Sequence, residues 1–307
     1  MTTFRSNGKL LITGEYVVLD GAVSLALPTK YGQSLNVEKV PRSGIQWTAY
    51  DNEDKIWLNV FFELEELILK PAVINAETSI SEETYLLKIL QTANSLNPSL
   101  LQQAIGFNVI TKLEFPKNWG LGTSSTLINN IAQWFIIDAY KLLQLTFGGS
   151  GYDIAAAQHN NAITYELTKE KSNVLNVDFN PQFKEELFFI HLNQKQNSRD
   201  SIQHYRNQSK VELQNNITKI SGLTSKFLTC ESLKEFELLI EIHESIISKI
   251  INTPKVKSAL FPDFSGAIKS LGGWGGDFIL VTGKDSDLDY FREKGYDTII
   301  PFSEMVL

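Results

Sequence analysis

Short runs of hydrophobic residues in the first third of the chain have the pattern of β-strands. β-Branched and aromatic residues alternate or cluster in these runs, and turn residues such as Asp20-Gly21 separate them. The pattern then changes to that of a helix, which Ser81 opens and Asn97-Pro98 ends. The predicted strands before this helix are residues 10–12, 17–19, 34–40, 45–50 and 56–62.

The rest of the chain mixes both patterns. A strand at 105–111 precedes a glycine-bearing loop at 116–122, which leads into one long helical pattern at 124–145. Strands followed by a mixture of strands and helices indicate an α+β protein of two lobes. The polar stretch 168–185 predicts the boundary, so the expected domains are residues 1–170 and 171–307. Further strands are predicted at 162–167, 186–192, 278–282 and 298–300, and helices at 201–228, 233–251 and 287–294.

The charge of the chain limits the ligands that it attracts. Its 307 residues carry 28 Lys+Arg against 35 Asp+Glu, a net charge of −7, which does not favour nucleic acid as a partner. Anionic ligands must therefore be bound by local backbone dipoles and a few well-placed cations. The single cysteine, Cys230, excludes an intrachain disulfide and predicts a buried thiol.

Hydropathy and histidine spacing argue against a secreted, a membrane-spanning and a zinc-binding protein. The first residues have no apolar core of a signal peptide, and no run approaches the roughly 18 apolar residues of a membrane span. We therefore expect a cytoplasmic protein without a membrane partner. The four histidines show no zinc-binding spacing, and His243, in the middle of a predicted helix, is expected to be structural.

Several segments combine glycines with residues that carry chemistry. Gly120-Leu121-Gly122-Thr123-Ser124-Ser125 offers backbone amides and hydroxyls at the start of a helix, as a phosphate site does, although Ser and Thr are also ordinary helix caps. Asp153 follows a glycine-rich turn and is either a helix cap or a carboxylate that takes a proton from a hydroxyl. The segment 195–199 is either a solvated loop or a small anion-binding cluster.

Four segments, taken in order, resemble the motifs of the GHMP kinases, the family of galactokinase, homoserine kinase, mevalonate kinase and phosphomevalonate kinase. Residues 8–21 resemble the first motif and 120–125 the phosphate loop. Residues 150–153 resemble the segment with the catalytic aspartate, and 271–277 the glycine-rich third motif. The details are most similar to phosphomevalonate kinase and mevalonate kinase. The resemblance implies a two-lobed GHMP kinase fold, with a ribosomal-protein-like N-terminal ATP-binding βα lobe and a ferredoxin-like C-terminal α+β lobe.

The resemblance also implies roles for individual residues. Asp153 would orient or deprotonate the acceptor, and Lys9 would lie beside it and stabilise developing charge. The nucleotide phosphates of ATP would be bound by Gly120, Leu121, Gly122, Thr123, Ser124 and Ser125, with Ser124 also binding Mg²⁺. Substrate contacts would come from Glu15, Tyr16, Lys195, Ser198, Arg199, Trp274 and Gly275.

The implied function is an ATP-dependent phosphotransferase acting on a small acidic metabolite, with phosphomevalonate or mevalonate favoured and a homodimer left open. Two alternatives remain: a diphosphomevalonate decarboxylase, and a GHMP-fold binding protein with impaired catalysis. The second is motivated by residues 138–147, which lack the glutamate that binds magnesium in many members. The candidate replacements are Gln144, Asp138 and a water molecule.

Overall fold

The computed structural model describes residues 1–68, 81–103, 106–169 and 171–307, without the side chains of Gln103, Ser198 and Arg199. It is an α+β structure, which confirms the predicted class. The strands are β1 (Thr2–Leu11), β2 (Ser24–Val40), β3 (Ile45–Tyr50), β4 (Ile56–Phe62), β5 (Gly106–Leu113), β6 (Ile163–Leu167), β7 (Ser172–Asn176), β8 (Leu187–His191), β9 (Ile268–Ser270), β10 (Phe278–Thr282) and β11 (Ile299–Pro301).

Helices cover about half of the remaining described chain, and several begin at caps that the sequence shows. Ser81 accepts a hydrogen bond from the Thr84 amide at the start of the second helix, and Ser232 caps the eighth in the same way. The helices are α1 (Leu64–Ile68), α2 (Glu82–Leu96), α3 (Thr123–Phe135), α4 (Ala139–Thr146), α5 (Tyr152–Gln158), α6 (Ser198–Arg206), α7 (Leu213–Thr229), α8 (Leu233–Ile250), α9 (Val256–Leu260), α10 (Asp289–Arg292) and α11 (Phe302–Met305).

The chain divides into two compact units that are not continuous in sequence. Unit 1 contains residues 1–8, 31–117 and 122–158, and unit 2 contains residues 9–30, 118–121 and 159–307. β1 and β2 pass through both units. The domains at residues 1–170 and 171–307 stay a prediction.

Unit 1 is a mixed sheet with helices packed on it. Its strands lie in the order β4-β3-β5-β2, where β3 runs parallel to β5 and the other pairs are antiparallel. Alternate residues of β3 point into the core, where Trp47 is 1% exposed. α2, α3 and α4 pack against one another, and α5 packs against α3. The resulting core fixes the first turns of α3 and α5, which carry candidate site residues.

Unit 2 is built on an antiparallel sheet with the strand order β11-β8-β10-β9. β8 and β10 are buried at every position, as expected of central strands covered on both faces. The first part of β2 pairs with β6, and β6 with β7. α8 packs against α7 and β9, and Phe236 of α8 contacts Phe183 and Phe227 at the centre of an aromatic core. The segments at the edge of this sheet carry the other candidate site residues.

One predicted element is wrong in kind, and two predicted helices are each divided into two. Residues 17–20 form a 3-10 helix rather than a strand. The helix predicted at 124–145 is two helices, because Ile136 adopts a left-handed φ of 56° and the Asp138 carboxylate caps α4 by accepting from the Tyr140 amide. The pattern at 201–228 likewise divides into α6 and α7. No glycine or proline marks the first break, so the hydrophobic pattern continues across it.

Two further properties are the hydropathy of the helices and the exposure of the cysteine. No helix in the described part of the chain is long and apolar enough to cross a membrane. Cys230, predicted as a buried thiol, is partly exposed after the end of α7. Its sulfur donates to the Ser232 carbonyl, and burial raises the pKa of the thiol.

Candidate functional site

The beginning of the candidate phosphate loop is held by Lys9. The Lys9 ammonium donates to the Gly120 carbonyl at 2.9 Å, and its backbone amide donates to the Leu121 carbonyl at 3.0 Å. Gly120 has a φ of +67°, and Gly122, which precedes α3, a φ of +96°. These left-handed conformations favour glycine, so both glycines of the motif are required by the turn itself.

The first turn of α3 presents the hydroxyls of the loop. Ser124 is exposed, whereas the buried Ser125 hydroxyl donates to the Gly122 carbonyl at 2.9 Å. Backbone amides at a helix start can donate hydrogen bonds to a phosphate. An exposed hydroxyl there can be a ligand of Mg²⁺. Of the predicted loop residues, Thr123 and Ser124 therefore have accessible positions, and Ser125 serves the helix start.

Asp277 ends the third glycine segment, and no site role was predicted for it from the sequence. Its backbone is left-handed, with a φ of 53°, and its side chain is 7% exposed. The carboxylate lies directly against Gly120: a Cβ placed there would be 2.6 Å from Oδ1 of Asp277. The Gln196 amide donates to the same Oδ1 at 3.2 Å. Gly120 must therefore be glycine both for its backbone and for the close approach of this carboxylate.

Burial and the neighbouring groups act in opposite directions on the pKa of Asp277. Burial raises the pKa of this carboxyl, whereas Lys9, the Gln196 amide, Lys195 and His191 favour its ionised form. A small cavity of about 10 Å³ lies beside it, lined in part by Lys9, Trp119 and Gly272. This volume corresponds to about one water molecule. The carboxylate thus lies where the phosphate loop, Lys9 and the third glycine segment meet within unit 2.

The third glycine segment packs on residues 194–196 through close backbone contacts. A Cβ at Gly276 would lie 3.0 Å from the Gln194 carbonyl, and one at Gly273 2.9 Å from Cγ of Gln196. Gln194 also donates to the Gly275 carbonyl at 2.6 Å. The exposed Lys195 is thereby held next to the glycine segment. The expected roles of Ser198 and Arg199 concern side chains outside the described residues.

Glu15, expected to contact substrate, is 1% exposed and lies in an ionic cluster of unit 2. Its carboxylate pairs with the Lys269 ammonium, which also lies 3.0 Å from Oε1 of Glu244. His243, as predicted from its position in a helix, is buried, and its Nε2 accepts from the Gly14 amide at 3.1 Å. We call these four residues, Glu15, His243, Glu244 and Lys269, the buried ionic cluster.

The buried ionic cluster has two carboxyls for one ammonium. Burial raises the pKa of Glu15 to about 7, although Lys269 opposes the rise. Burial also raises the pKa of Glu244 and lowers that of His243, so the histidine is neutral. Ligand atoms of Glu15, His243 and Glu244 lie within 4.8 Å of one another, which is close enough for a metal. The Lys269 ammonium, however, already supplies a cation to both carboxylates.

Tyr16 and Trp274 connect the first and third glycine segments. The Tyr16 hydroxyl accepts from the Trp274 amide at 3.2 Å, and the indole donates to the Pro254 carbonyl at 2.7 Å. Tyr16 has a left-handed φ of 65°, and its ring centroid is 5.7 Å from that of Tyr205. The structure thus brings these two predicted substrate residues together.

Asp153 lies in unit 1, whereas Lys9 lies in unit 2. Asp153 is partly exposed in the first turn of α5, and its Oδ1 accepts from the Ile154 amide at 3.1 Å. Its pairing with Lys9 stays a prediction. Asp138, one candidate magnesium ligand, caps α4, and Gln144, the other, is exposed on that helix.

Comparison with solved structures identifies the fold. Mevalonate kinase of Methanococcus jannaschii superposes with a TM-score of 0.70 at 14% identity, over 97% of this chain and 96% of that one. Phosphomevalonate kinase of Streptococcus pneumoniae, in complex with phosphomevalonate and AMPPNP, gives 0.68 at 14% identity over 96% of both chains. Galactokinase of Lactococcus lactis, complexed with galactose, gives 0.64 at 12% identity over 95% and 87%.

These proteins are small-molecule kinases, and their likeness to this chain extends over nearly its whole length. The chain therefore has the GHMP kinase fold, as the motifs in the sequence imply. At the level of sequence, it matches no protein-family model and no curated protein.

Proposed function

We propose that the protein is a phosphotransferase that uses ATP and Mg²⁺ to phosphorylate a small acidic metabolite, with phosphomevalonate or mevalonate as the favoured acceptor. The observation that carries this proposal is the convergence on Gly120, where the Lys9 ammonium, a left-handed glycine turn and the Asp277 carboxylate meet. A cation fixed beside a left-handed glycine turn suits phosphoryl transfer, since the protein mainly positions the groups and stabilises charge.

Each residue then has a defined task. The amides of residues 120–124 bind the phosphates, and Lys9 stabilises the negative charge that develops on them. Ser124 would hold Mg²⁺, which would neutralise phosphate charge. Asp153 deprotonates an acceptor hydroxyl or, where the acceptor is a phosphate, only orients it. Tyr16, Lys195, Trp274 and Gly275 contact the acceptor.

Glu15 is not included among the substrate contacts in this proposal. Its carboxylate pairs with Lys269 at 1% exposure, so it supports the first glycine segment from within the core. Mevalonate kinase and phosphomevalonate kinase lie among the structural neighbours, which supports these acceptors, and galactokinase keeps a sugar in the set to be tested.

The test is release of ADP from ATP and Mg²⁺ with mevalonate, phosphomevalonate, diphosphomevalonate, homoserine and galactose. We expect ADP release with one acceptor and no CO₂, since CO₂ release would identify the decarboxylase. Bound ATP without turnover on any acceptor would favour the binding protein with impaired catalysis.

Asp153→Ala tests the proposed chemistry. We expect turnover to fall by about 10²–10⁴-fold while ATP still binds, because a positioned base contributes about that much. Glu83→Ala is the matched control, since Glu83 is an exposed carboxylate in the first turn of another helix of unit 1. Equal turnover of the two variants would contradict the role of Asp153.

A further inference from the structure

We propose that Asp277 makes nucleotide binding depend on the metal: its carboxylate disfavours a metal-free polyphosphate at Gly120 and favours the metal-bound form. This inference rests on the proposed function, because it takes residues 120–124 as the phosphate site. It assigns a role to a residue outside the predicted catalytic, nucleotide-binding and metal-binding sets.

The position of the carboxylate carries the argument. Asp277 lies so close to Gly120 that any side chain at 120 would collide with it, and only 7% of the residue is exposed. Solvent therefore screens its charge poorly, and a phosphate at the Gly120 turn would meet a negative charge at short range. A phosphate-binding turn that contains a fixed carboxylate needs cations to compensate.

Among the described residues, the cationic groups that act on the Asp277 carboxylate are Lys9, Lys195 and His191. The Lys9 ammonium donates to the Gly120 carbonyl, and Lys195 is exposed on the neighbouring loop. His191 also favours the ionised carboxylate, but its Nε2 contacts the Asn118 carbonyl. A polyphosphate brings several negative charges, so a phosphate-bound metal is the cation that best offsets them beside Asp277.

The backbone shows that the carboxylate is held in place. The Asp277 amide donates to the Gln194 carbonyl, and its own carbonyl accepts from the Leu192 amide, both at 2.8 Å. Its left-handed φ of 53° is a conformation that glycine adopts more readily, and four of the five residues before it are glycines. Three hydrogen bonds thus hold an aspartate in a backbone conformation that is strained for it. A residue that only connected two segments would not need them.

The experiment measures ATP affinity by calorimetry, with Mg²⁺ and with EDTA, for the wild type and Asp277→Asn. Asparagine keeps the shape of the side chain and tolerates a left-handed φ, so the variant removes mainly the charge. We expect Asp277→Asn to bind metal-free ATP at least about tenfold more tightly and Mg-ATP no more tightly. Asp285→Asn, which removes an exposed carboxylate of unit 2, should leave both affinities unchanged.

The outcomes separate this inference from the proposed function. If the wild type binds ATP in neither condition, the proposed function fails. If it binds ATP and the ratio of the two affinities is the same in Asp277→Asn, Asp277 does not set the metal dependence and the inference is wrong. A melting temperature of Asp277→Asn near that of the wild type shows that the comparison is made on folded protein.

Discussion

Two of the lysine–carboxylate groups in unit 2 differ in their surroundings. In the buried ionic cluster, Lys269 is 0% exposed and contacts both Glu15 and Glu244. At the candidate phosphate site, Lys9 is half-buried and donates to a backbone carbonyl, while the nearby Asp277 accepts from a backbone amide. In the first group the ammonium and the carboxylates form ion pairs with one another. In the second, the ammonium and the carboxylate can still act on the charge of a ligand.

The difference separates a structural role from a chemical one. Ions removed from water must satisfy one another, and a group that does so has little capacity left for a substrate. Glu15 illustrates this: its place in the first motif implied a substrate contact, but its carboxylate is used by Lys269. Lys9, in the same motif, lies at the phosphate loop.

The largest expected effect comes from Lys269→Met, which leaves two buried carboxyls without their cation. We expect the free energy of unfolding to fall by about 3–5 kcal/mol, because an uncompensated buried charge is costly. Urea unfolding measures it. Lys249→Met removes an exposed lysine from α8 and should cost little. Equal losses in the two variants would show that the buried ionic cluster does not stabilise unit 2.

Gly120→Ala tests the other group through its packing. The added Cβ meets the Asp277 carboxylate and also requires alanine at a φ of +67°. Gly148→Ala imposes a similar φ, +70°, with no atom within 4 Å, so it isolates the backbone cost of about 1–2 kcal/mol. We expect Gly120→Ala to lose more stability than Gly148→Ala, together with ATP binding. Equal stabilities would contradict the close packing at Gly120.

The pH dependence of stability sharpens the comparison. The pKa of Glu15 is raised to about 7 from about 4.3 in an unfolded chain, so the folded state binds this proton more tightly. Its contribution is full below the unfolded pKa and is lost as pH rises through about 7. We expect Glu15→Gln to reduce the fall in unfolding free energy between about pH 5 and 7, by up to about 1.4 kcal/mol per pH unit. Urea unfolding at several pH values measures this. If the pH dependence of the unfolding free energy were unchanged in Glu15→Gln, another group would bind the proton.

Tyr16→Phe has the smallest expected effect. It removes the acceptor of the Trp274 amide, and we expect a loss of about 0.5–1.5 kcal/mol in unfolding free energy. Because the hydrogen bond joins the first and third glycine segments, the KM for the acceptor should rise more than kcat falls. Tyr50→Phe, which removes the hydroxyl of a partly exposed tyrosine of unit 1, is the matched control for the unfolding measurement. A KM equal to that of the wild type would contradict the link.

Much of the fold could be predicted because local signals agreed with it. The predicted strands at 45–50, 56–62 and 278–282 are confirmed, since alternation or a short buried run specified them. The break at Ile136 could not be predicted, because its left-handed turn lies in an uninterrupted hydrophobic pattern. The short β9 was missed as well, since three residues show no period.

The candidate site could be predicted where glycines marked it and not where charges came from distant segments. Gly120 and Gly122 indicated the turn, because they are spaced as a phosphate loop requires. Lys269 and Glu244 lie far from Glu15 in the sequence, and the packing of β9 against α8 brings only the first two together. The approach of Glu15 to them comes from the tertiary fold of unit 2. Asp277 was part of the third glycine segment, and its left-handed backbone could not be inferred from the amino-acid sequence alone.

The most direct test compares Lys9→Met with Lys269→Met, using thermal unfolding and release of ADP with the acceptor found for the wild type. The account predicts that Lys9→Met melts near the wild type and loses turnover by orders of magnitude, because its ammonium acts on phosphate charge. Lys269→Met should instead melt at a much lower temperature. If Lys9→Met lost stability as Lys269→Met does and its folded fraction turned over normally, the assignment of Lys9 to chemistry would be wrong.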